Sequence, residues 1–132
     1  MRLTRPWSSF TRFRGQLKLV IFRSVWHAEI GNGTVVHPSA LLDRTWPRGM
    51  HIGNDCIIAA HAAILTHDFT RGVLVDTSIG DRCVIGERAI IMPGLRIGDD
   101  CIIHPGTVVT HDMPAHSQAS GNPATITPRN PA

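Results

Sequence analysis

The stretch SIGDRCVIGERAIIMPGLRIGDDCIIHPGTVV, residues 78–109, carries an aliphatic residue at every sixth position. A period of six matches neither an α-helix, at about 3.6 residues per turn, nor an alternating strand, at about 2. Hexapeptide repeats are typical of parallel β-helices, in which each hexad supplies one short strand. The same step continues upstream in two further blocks. The repeated residues are Ile30, Val36, Leu42; Ile52, Ile58, Ile64; and Ile79, Ile85, Ile91, Ile97, Ile103, Val109.

The hexads are grouped in threes, which gives a second, longer repeat. Its units open with IGNG (30–33), IGND (52–55), IGDR (79–82) and IGDD (97–100). The pattern predicts about four triangular coils over residues 30–113, with the aliphatic residues inside the prism and coils stacked about 4.8 Å apart. We expect the Gly-Asn and Gly-Asp pairs at the bends, because these residues accept a positive φ at low cost.

The fifth position of each hexad is also expected to point inward. These positions hold Thr34, Ala40, Trp46, Cys56, Ala62, Asp68, Cys83, Ala89, Leu95, Cys101, Thr107 and Met113. All three cysteines fall in this column, and their spacing fits neither a disulfide framework nor a zinc finger. They are interpreted as small buried side chains.

The register slips twice, which predicts loops near residues 46–51 and 70–78. The second slip begins within the stretch ILTHDFTRG, residues 64–72, just after His67. A coil can release a loop at a corner without disturbing its stacked strands, and loops on a rigid scaffold are where function concentrates. The break in the rhythm therefore marks His67 as a candidate functional residue.

The N-terminal segment differs in charge from the rest of the chain. Residues 1–29 hold six Lys or Arg and one Glu, whereas residues 30–132 hold seven basic and nine acidic residues. This distribution argues against a nucleic-acid-binding body. No apolar run is long enough for a membrane span or a signal-peptide core, so a cytoplasmic protein is expected.

The end segments are predicted to cover the open ends of the coil. Residues 1–29 form a basic cap containing a helix over 8–27, with Ser8 or Ser9 as N-cap and an apolar stripe at helical spacing. The stripe consists of Phe10, Phe13, Leu17, Val20, Ile21 and Val25. Its cations are either a solvated face or a contact for an anionic membrane or a lipid-linked substrate. Residues 114–132, with four prolines, are predicted to be irregular.

These motifs together resemble the hexapeptide-repeat acyltransferases, which form a left-handed parallel β-helix. The likeness is to the sugar and polysaccharide O-acetyltransferases of the colanic-acid and maltose/galactoside types. It is carried by HIGNDCIIAAHAAILTHDF (51–69), residues 78–114 and SGNPA (120–124), and HPSALLDRTWPRG (37–49) extends it. The resemblance implies acetyl transfer from acetyl-CoA to a sugar hydroxyl, no required metal, and a homotrimer with active sites between subunits.

The resemblance also assigns roles to individual residues. His67 matches the family's catalytic histidine, and an imidazole with a reference pKa of about 6.5 suits a general base for a hydroxyl. No activated Ser or Cys nucleophile is evident, so direct transfer is expected. Asp68 is expected to orient His67 or to hold the corner. His61 and Arg71 are assigned to acceptor binding.

The acetyl-CoA side is assigned by the same resemblance. Stacking places Gly94 one coil above His67, where a missing side chain leaves room for the pantetheine arm. The other assigned residues are Gly106, Thr110, Gly121, Asn122, Pro123 and Arg129. Three positions depart from the family pattern. Val84 replaces a frequent Trp, His104 begins a changed GAG triplet, and His111 replaces a lysine near the CoA phosphates, which puts donor preference in question.

Alternatives from other classes remain open at this stage. A γ-carbonic-anhydrase type needs converging histidines in HxxxxH spacing, whereas His61 and His67 are six residues apart. A non-catalytic structural or binding β-helix lacks a reason for THDF and its loop. A nucleotide-sugar N-acetyltransferase shares the expected chemistry. Serine acetyltransferases normally carry a long helical N-terminal domain that 29 residues do not supply.

Overall fold

Three mostly parallel sheets form the faces of a triangular prism, and the chain visits them in turn. The structure, a computed structural model, describes residues 7–129, and the coils make a left-handed parallel β-helix. Face A contains β1 (Glu29–Ile30), β4 (Met50–Ile52), β9 (Thr77–Ile79) and β12 (Arg96–Ile97). Face B contains β2 (Val35–Val36), β5 (Ile57–Ile58), β10 (Val84–Ile85), β13 (Ile102–Ile103), β15 (Ser117–Ser120) and β16 (Thr125–Pro128). Face C contains β3 (Leu41–Leu42), β6 (Ala63–Ile64), β11 (Ile90–Ile91) and β14 (Val108–Val109).

The core is the column of aliphatic residues that sets the six-residue rhythm. All twelve repeated positions are buried, which confirms the predicted register of four coils. Neighbouring coils align these residues in parallel pairs, such as Ile58 with Ile85 and Ile85 with Ile103. The three cysteines are buried and free, as predicted, and the thiols of Cys56 and Cys83 each lie 3.1 Å from a carbonyl oxygen of the next coil.

The corner between faces A and B explains the repeated IGND-type segments, though not as predicted. The positive φ angles fall two residues after the first glycine, at Asp55 for example, and not at that glycine. The first glycines instead stack: a Cβ on Gly53 would lie 2.7 Å from the carbonyl carbon of Gly80. The polar residue that follows joins the coils, because Asp81 Oδ1 accepts a hydrogen bond of 2.8 Å from the Asn54 amide.

Two excursions leave the prism at the corner between faces C and A. The first spans residues 43–49 and includes a short 3₁₀ turn, Pro47–Gly49. The second spans residues 65–76 and forms an antiparallel hairpin from β7 (His67–Asp68) and β8 (Val73–Leu74). Both are shifted from the predicted loops, whose last residues belong to strands β4 and β9. Trp46 and Asp68 lie in these excursions and are only half-buried, so the inward column does not extend to them.

The helix α1 (Ser9–Ser24) covers the open end of the first coil, with Ser8 as its N-cap. The predicted apolar stripe is not the packed face. Gly15, Leu19 and Phe22 are buried, whereas all six stripe residues are exposed. Gly15 is needed for this contact, since a Cβ there would meet the carbonyl of Val36. The prediction failed because the longer stripe was assumed to face inward.

Polar side chains of α1 bind the free backbone carbonyls of the first coil. Lys18 Nζ donates to the carbonyls of Pro38 and Ala40, and Arg23 donates to those of Ile30 and Gly31. A first coil has no neighbour below it to supply these donors. Two of the basic residues therefore have a structural role in the cap.

The C-terminal segment is ordered into strands, which contradicts the predicted irregular tail. Strand β15 pairs in parallel with β13, and β16 folds back antiparallel along β15. The prolines do not prevent this because Pro123 lies in the connecting turn and Pro128 ends β16. Residues 1–6 and 130–132, the outer parts of the two end segments, lie outside the described residues. Within residues 7–129, no helix is both long and apolar enough to cross a bilayer.

Candidate active site

His67 begins the hairpin that projects from the corner between faces C and A. Its side chain is 22% exposed, and its ring lies 4.5 Å, centroid to centroid, from the ring of Phe69. Phe69 is 80% exposed at the tip of the hairpin. The excursion thus places the imidazole beside a tilted aromatic ring and leaves part of it accessible to solvent.

The buried carboxylate of Asp43 holds His67 in place. Asp43 lies one coil below, at the first residue of the shorter excursion, and its side chain is only 1% exposed. Asp43 Oδ2 is 2.5 Å from His67 Nδ1 and accepts hydrogen bonds from the backbone amides of Thr66 and His67 at 2.7 and 3.1 Å. Oδ1 accepts from the Thr45 amide at 2.8 Å. Four donors therefore orient one carboxylate and, through it, the imidazole.

These donors also keep Asp43 ionised. Burial works to raise the pKa of Asp43, but the amides of Thr66 and Thr45 and the ring of His67 stabilise the anion more strongly. The net effect is a pKa below the ordinary aspartate value. An ionised Asp43 accepts a proton-bearing Nδ1, which leaves the lone pair on Nε2 of a neutral His67. Within residues 7–129, Nε2 makes no hydrogen bond.

Asp68 does not orient His67, contrary to one of the two roles expected for it. Its carboxylate closes the hairpin turn: Oδ1 accepts from the Thr70 amide at 2.9 Å, and Oδ2 accepts from Arg71 Nε at 2.6 Å. The Thr70 hydroxyl and then Arg71 hold the pKa of Asp68 well below its usual range. Asp68 therefore holds the corner, which is the other expected role.

A groove of about 430 Å³ runs beside the hairpin and brings several assigned residues together. Arg71, Gly94 and Thr110 line it, along with Asp68 and apolar side chains such as Met92. The backbone itself accounts for a glycine at position 94, since its φ is +88° and a Cβ there would lie 3.3 Å from Val75 Cγ2. The structure thus gathers part of the predicted cofactor set at the corner that carries His67.

Other assigned residues lie at different corners. His61 and Gly106 are exposed at turns between faces B and C, and the His61 amide donates to Ser39 Oγ at 3.1 Å. A whole face separates His61 from His67 within one chain. Gly106 has φ +73° and open space around a Cβ, so the turn itself accounts for the glycine.

The C-terminal residues assigned to the cofactor also lie at different corners of the prism. Gly121, Asn122 and Pro123 form the turn between β15 and β16, and the Gly121 carbonyl accepts from the Val108 amide at 3.0 Å on face C. Arg129 instead binds the carbonyl of Asp100 at 3.0 Å, at the corner between faces A and B. It is therefore not beside Gly94 and Thr110.

The three departures from the family pattern are all on the outer surface. Val84 points outward and half-buried from face B. His104 is exposed, and its Nε2 lies 3.2 Å from Gln118 Oε1. His111 is exposed beside Thr110, with 3.0 Å between Nδ1 and the threonine hydroxyl. None of them touches the Asp43–His67 pair.

Sequence reasoning missed Asp43, although a usable signal was present. The position after the inward aliphatic residue on face C holds Asp43, Leu65, Met92 and Thr110 in the four coils. A carboxylate there, one coil below a histidine, is the unusual member of that column. The register step that placed Gly94 above His67 puts Thr45 beneath it when applied downward, so stacking alone brings Asp43 only to within two residues of that position.

Comparisons with known proteins agree with this architecture. Residues 76–111 match the family "Bacterial transferase hexapeptide (six repeats)". The chain is 35% identical over 112 residues to the putative acetyltransferase SAR0816 of Staphylococcus aureus, covering 83% of this chain and 70% of that protein.

Two solved structures show the same fold over part of their length. Serine acetyltransferase of Neisseria gonorrhoeae, in complex with serine, matches with a TM-score of 0.63 and 26% identity, over 74% of this chain and 39% of that one. The polySia-specific acetyltransferase NeuO matches with a TM-score of 0.53 and 29% identity, over 79% of this chain and 50% of that one. The chain thus spans half or less of each of these structures, but over two thirds of the staphylococcal relative. It belongs to the hexapeptide-repeat family of bacterial transferases and, within that family, to the acetyltransferases.

Proposed function

We propose that this acetyltransferase moves the acetyl group of acetyl-CoA to a hydroxyl of a sugar or polysaccharide precursor, with His67 as general base. The observation that carries the proposal is the contact between the buried Asp43 carboxylate and Nδ1 of His67. A base for a weakly acidic hydroxyl needs a fixed tautomer and an open acceptor nitrogen. Asp43 supplies the first, and the exposed side of the ring supplies the second.

The proton path follows from this arrangement. His67 Nε2 takes the proton of the acceptor hydroxyl as its oxygen bonds to the acetyl carbon. The same nitrogen then donates the proton to the CoA sulfur as the carbon–sulfur bond breaks, so that CoA leaves as the thiol. While the proton is on Nε2, the imidazolium is paired with the Asp43 carboxylate, which stabilises the developing charge. Acetyl-CoA supplies the activated acetyl group, and no covalent acyl-enzyme is needed.

The residues of the groove fit the donor in part. Its lining of Val73, Val75, Met92 and Leu95 suits the mostly uncharged pantetheine arm, and Gly94 and Thr110 also line it. Arg71 is the cation of the groove, but it is already paired with Asp68. We therefore assign Gly94 and Thr110 to the donor and leave Arg71 for the acceptor side.

Face polarity supports a homotrimer with sites between subunits. Within the four coils, the outward residues of faces B and C are aliphatic: Val35, Ile57, Val84 and Ile102 on one, Leu41, Ala63, Ile90 and Val108 on the other. Strand β15 adds the polar Gln118 at the end of face B. The outward residues of face A are polar: Glu29, His51, Ser78 and Arg96. Three prisms related by a three-fold axis can bury two adjacent faces each and leave the third in water. The exposed Phe69 and Leu74 of the hairpin would then reach a neighbour.

The acceptor class rests on the resemblance and is the finer part of the proposal. NeuO is described as polySia-specific, which favours a carbohydrate, while the serine complex of the gonococcal enzyme makes L-serine the second candidate. An amino sugar would test N-transfer. Each class would present its nucleophile to the same nitrogen of His67, so the acceptor has to be found by screening.

The experiment begins with calorimetric titration of acetyl-CoA into the purified protein. Acceptors are then screened by release of the CoA thiol, with saccharides, amino sugars and L-serine as separate panels. We expect saturable binding near one per chain, turnover with a saccharide, and loss of turnover in His67→Ala. His116→Asn is the matched control, because Asn tolerates the positive φ of that exposed position. Absence of acetyl-CoA binding at millimolar concentration would refute the donor, and turnover with L-serine alone would refute the acceptor.

A further inference from the structure

The outer face of α1 is an exposed apolar surface on the end of the prism. Six side chains on this face are between 39% and 69% exposed: Phe10, Phe13, Leu17, Val20, Ile21 and Val25. The opposite side of the helix already caps the first coil, through Leu19 and Phe22. Covering the β-helix therefore does not explain the outer face, and a contiguous apolar surface of this kind marks an interaction site.

The charges around this surface have a single sign. No acidic residue occurs before Glu29, whereas α1 carries Arg12, Arg14, Lys18 and Arg23. Arg14 lies over the ring of Phe10, with its guanidinium carbon 5.8 Å from the centroid. Residues 1–6 add two more arginines to the same end of the sequence.

A groove of about 380 Å³ continues the surface between α1 and the first coil. Its lining includes three cationic side chains, Arg14, Lys18 and Arg44, and among its described lining residues there is no carboxylate. Arg44 lies 5.1 Å from the centroid of the Trp26 ring, so this cation too is placed on an aromatic surface. Basic side chains thus border an apolar floor formed by residues such as Leu17 and Ile21.

The positive charge of this surface indicates which kind of partner it binds. Two copies of this face brought together would set arginine against arginine with no acidic partner, which opposes self-association. An anionic bilayer satisfies both features, because apolar side chains enter the boundary of headgroups and acyl chains while cations pair with lipid phosphates. We propose that the outer face of α1 binds the surface of an anionic lipid bilayer, with Arg14 and Arg44 beside lipid phosphates.

This binding places the prism end-on to the membrane. The coils stack away from the end that α1 covers, so α1 and the first coil separate the hairpin of His67 from the bilayer surface. The proposal does not depend on the acceptor proposed above, and the two can fail separately. If both hold, the acceptor hydroxyl belongs to a saccharide within reach of the membrane, such as one carried on a lipid.

Co-sedimentation with vesicles tests the proposal on the full chain. We expect binding to phosphatidylcholine vesicles that contain about one third phosphatidylglycerol, weak binding to phosphatidylcholine alone, and weakening by salt. The double variant Phe13→Gln with Leu17→Gln should abolish binding. Removing Arg14 and Arg44 by substitution with Gln should each weaken binding about fivefold, since one cation near the surface contributes on that scale.

The controls separate a defined surface from general charge and from misfolding. Arg88→Asn removes one exposed cation at a distant corner of positive φ and should leave vesicle binding unchanged. All variants should keep the thermal unfolding temperature and the acetyl-CoA affinity of the parent chain. Equal losses in Arg88→Asn and Arg14→Gln would overturn the proposal, as would vesicle binding that survives the Phe13 and Leu17 changes. Lipid-free self-association that the double variant abolishes would assign the face to a second copy instead.

Discussion

Replacing Asp43 with Asn tests the buried carboxylate as the positioning group for His67. The amide oxygen can take the place of Oδ2 and keep the three hydrogen bonds from Thr66 and His67, with the NH₂ group then facing the Thr45 amide. The reverse orientation would oppose the NH₂ to two backbone amides. One buried hydrogen bond and one negative charge are therefore lost, and the shape is retained.

The magnitude follows from the charge pair that exists only after His67 takes the proton. At a charge separation of about 4 Å and an effective dielectric constant of about 20, the attraction is about 4 kcal/mol. If only the difference between a charged and a neutral hydrogen bond is lost, the effect is about 1.4 kcal/mol. We expect kcat/KM of Asp43→Asn to fall by between about tenfold and about a thousandfold.

The assay is CoA-thiol release with the acceptor that gives the fastest turnover, and the comparison is with Asp68→Asn. Asp68 is adjacent in sequence but contacts Thr70 and Arg71, so its substitution should cost less than about threefold. Nitrogen NMR of the imidazole should show Nδ1–H in both the parent and Asp43→Asn, which would assign the loss of activity to the missing negative charge and not to a changed tautomer. An Asp43→Asn enzyme with parental activity, or one less impaired than Asp68→Asn, would refute the reasoning.

Three further predictions concern stability and reactivity. Burial lowers the pKa of His51, but hydrogen bonds to Glu29 and Asp76 raise it more, so the net pKa is raised. The stabilisation from these contacts should be complete below the ordinary pKa of about 6.5 and lost as pH rises through the higher pKa of the folded state. His51→Gln should therefore lower the unfolding temperature at pH 5.5 more than at pH 8, and equal shifts would contradict this. Gly80→Ala should lower the free energy of unfolding in urea by more than about 2 kcal/mol, since its Cβ would lie 2.9 Å from a backbone carbon of the next coil. Gly106→Ala has open space around its Cβ and should cost only about 1 kcal/mol, because its φ is positive. The opposite ranking would be incompatible with the stacked corner. The three buried cysteines should resist a thiol reagent in the native protein and react together on unfolding, and rapid labelling of one thiol would contradict the packed column.

The β-helix was predictable because its signal is repeated in every coil. Twelve aliphatic positions gave the register, and errors at single positions did not change it. The helix α1 was predicted with Ser8 or Ser9 as its cap, and Ser8 is the cap; its packed face was not predicted, since spacing alone does not distinguish two apolar stripes. Gly15, a residue type that is unfavourable within a helix, lies where a side chain would collide with the coil.

The candidate site was predictable only where the rhythm breaks. His67 stands at that break, but its partner Asp43 is distant in sequence and adjacent only through coil stacking. Sequence proximity favoured Asp68, whose carboxylate is satisfied within its own turn. Arg129 was predicted to meet a phosphate of CoA, whereas its position depends on how β16 folds back onto β15.

The two covers also determine how long the prism can be. Below the first coil, Gln16, Lys18 and Arg23 bind carbonyls that would otherwise pair with another chain, and above the last coil an antiparallel strand ends the parallel stack on face B. End-to-end growth into a fibre is thereby blocked at both ends. Interior coils, in contrast, present the same edge above and below. An additional 18-residue turn inserted between Ile79 and Ile97 would meet matching neighbours on both sides, so the protein can be lengthened in whole coils while its ends stay closed.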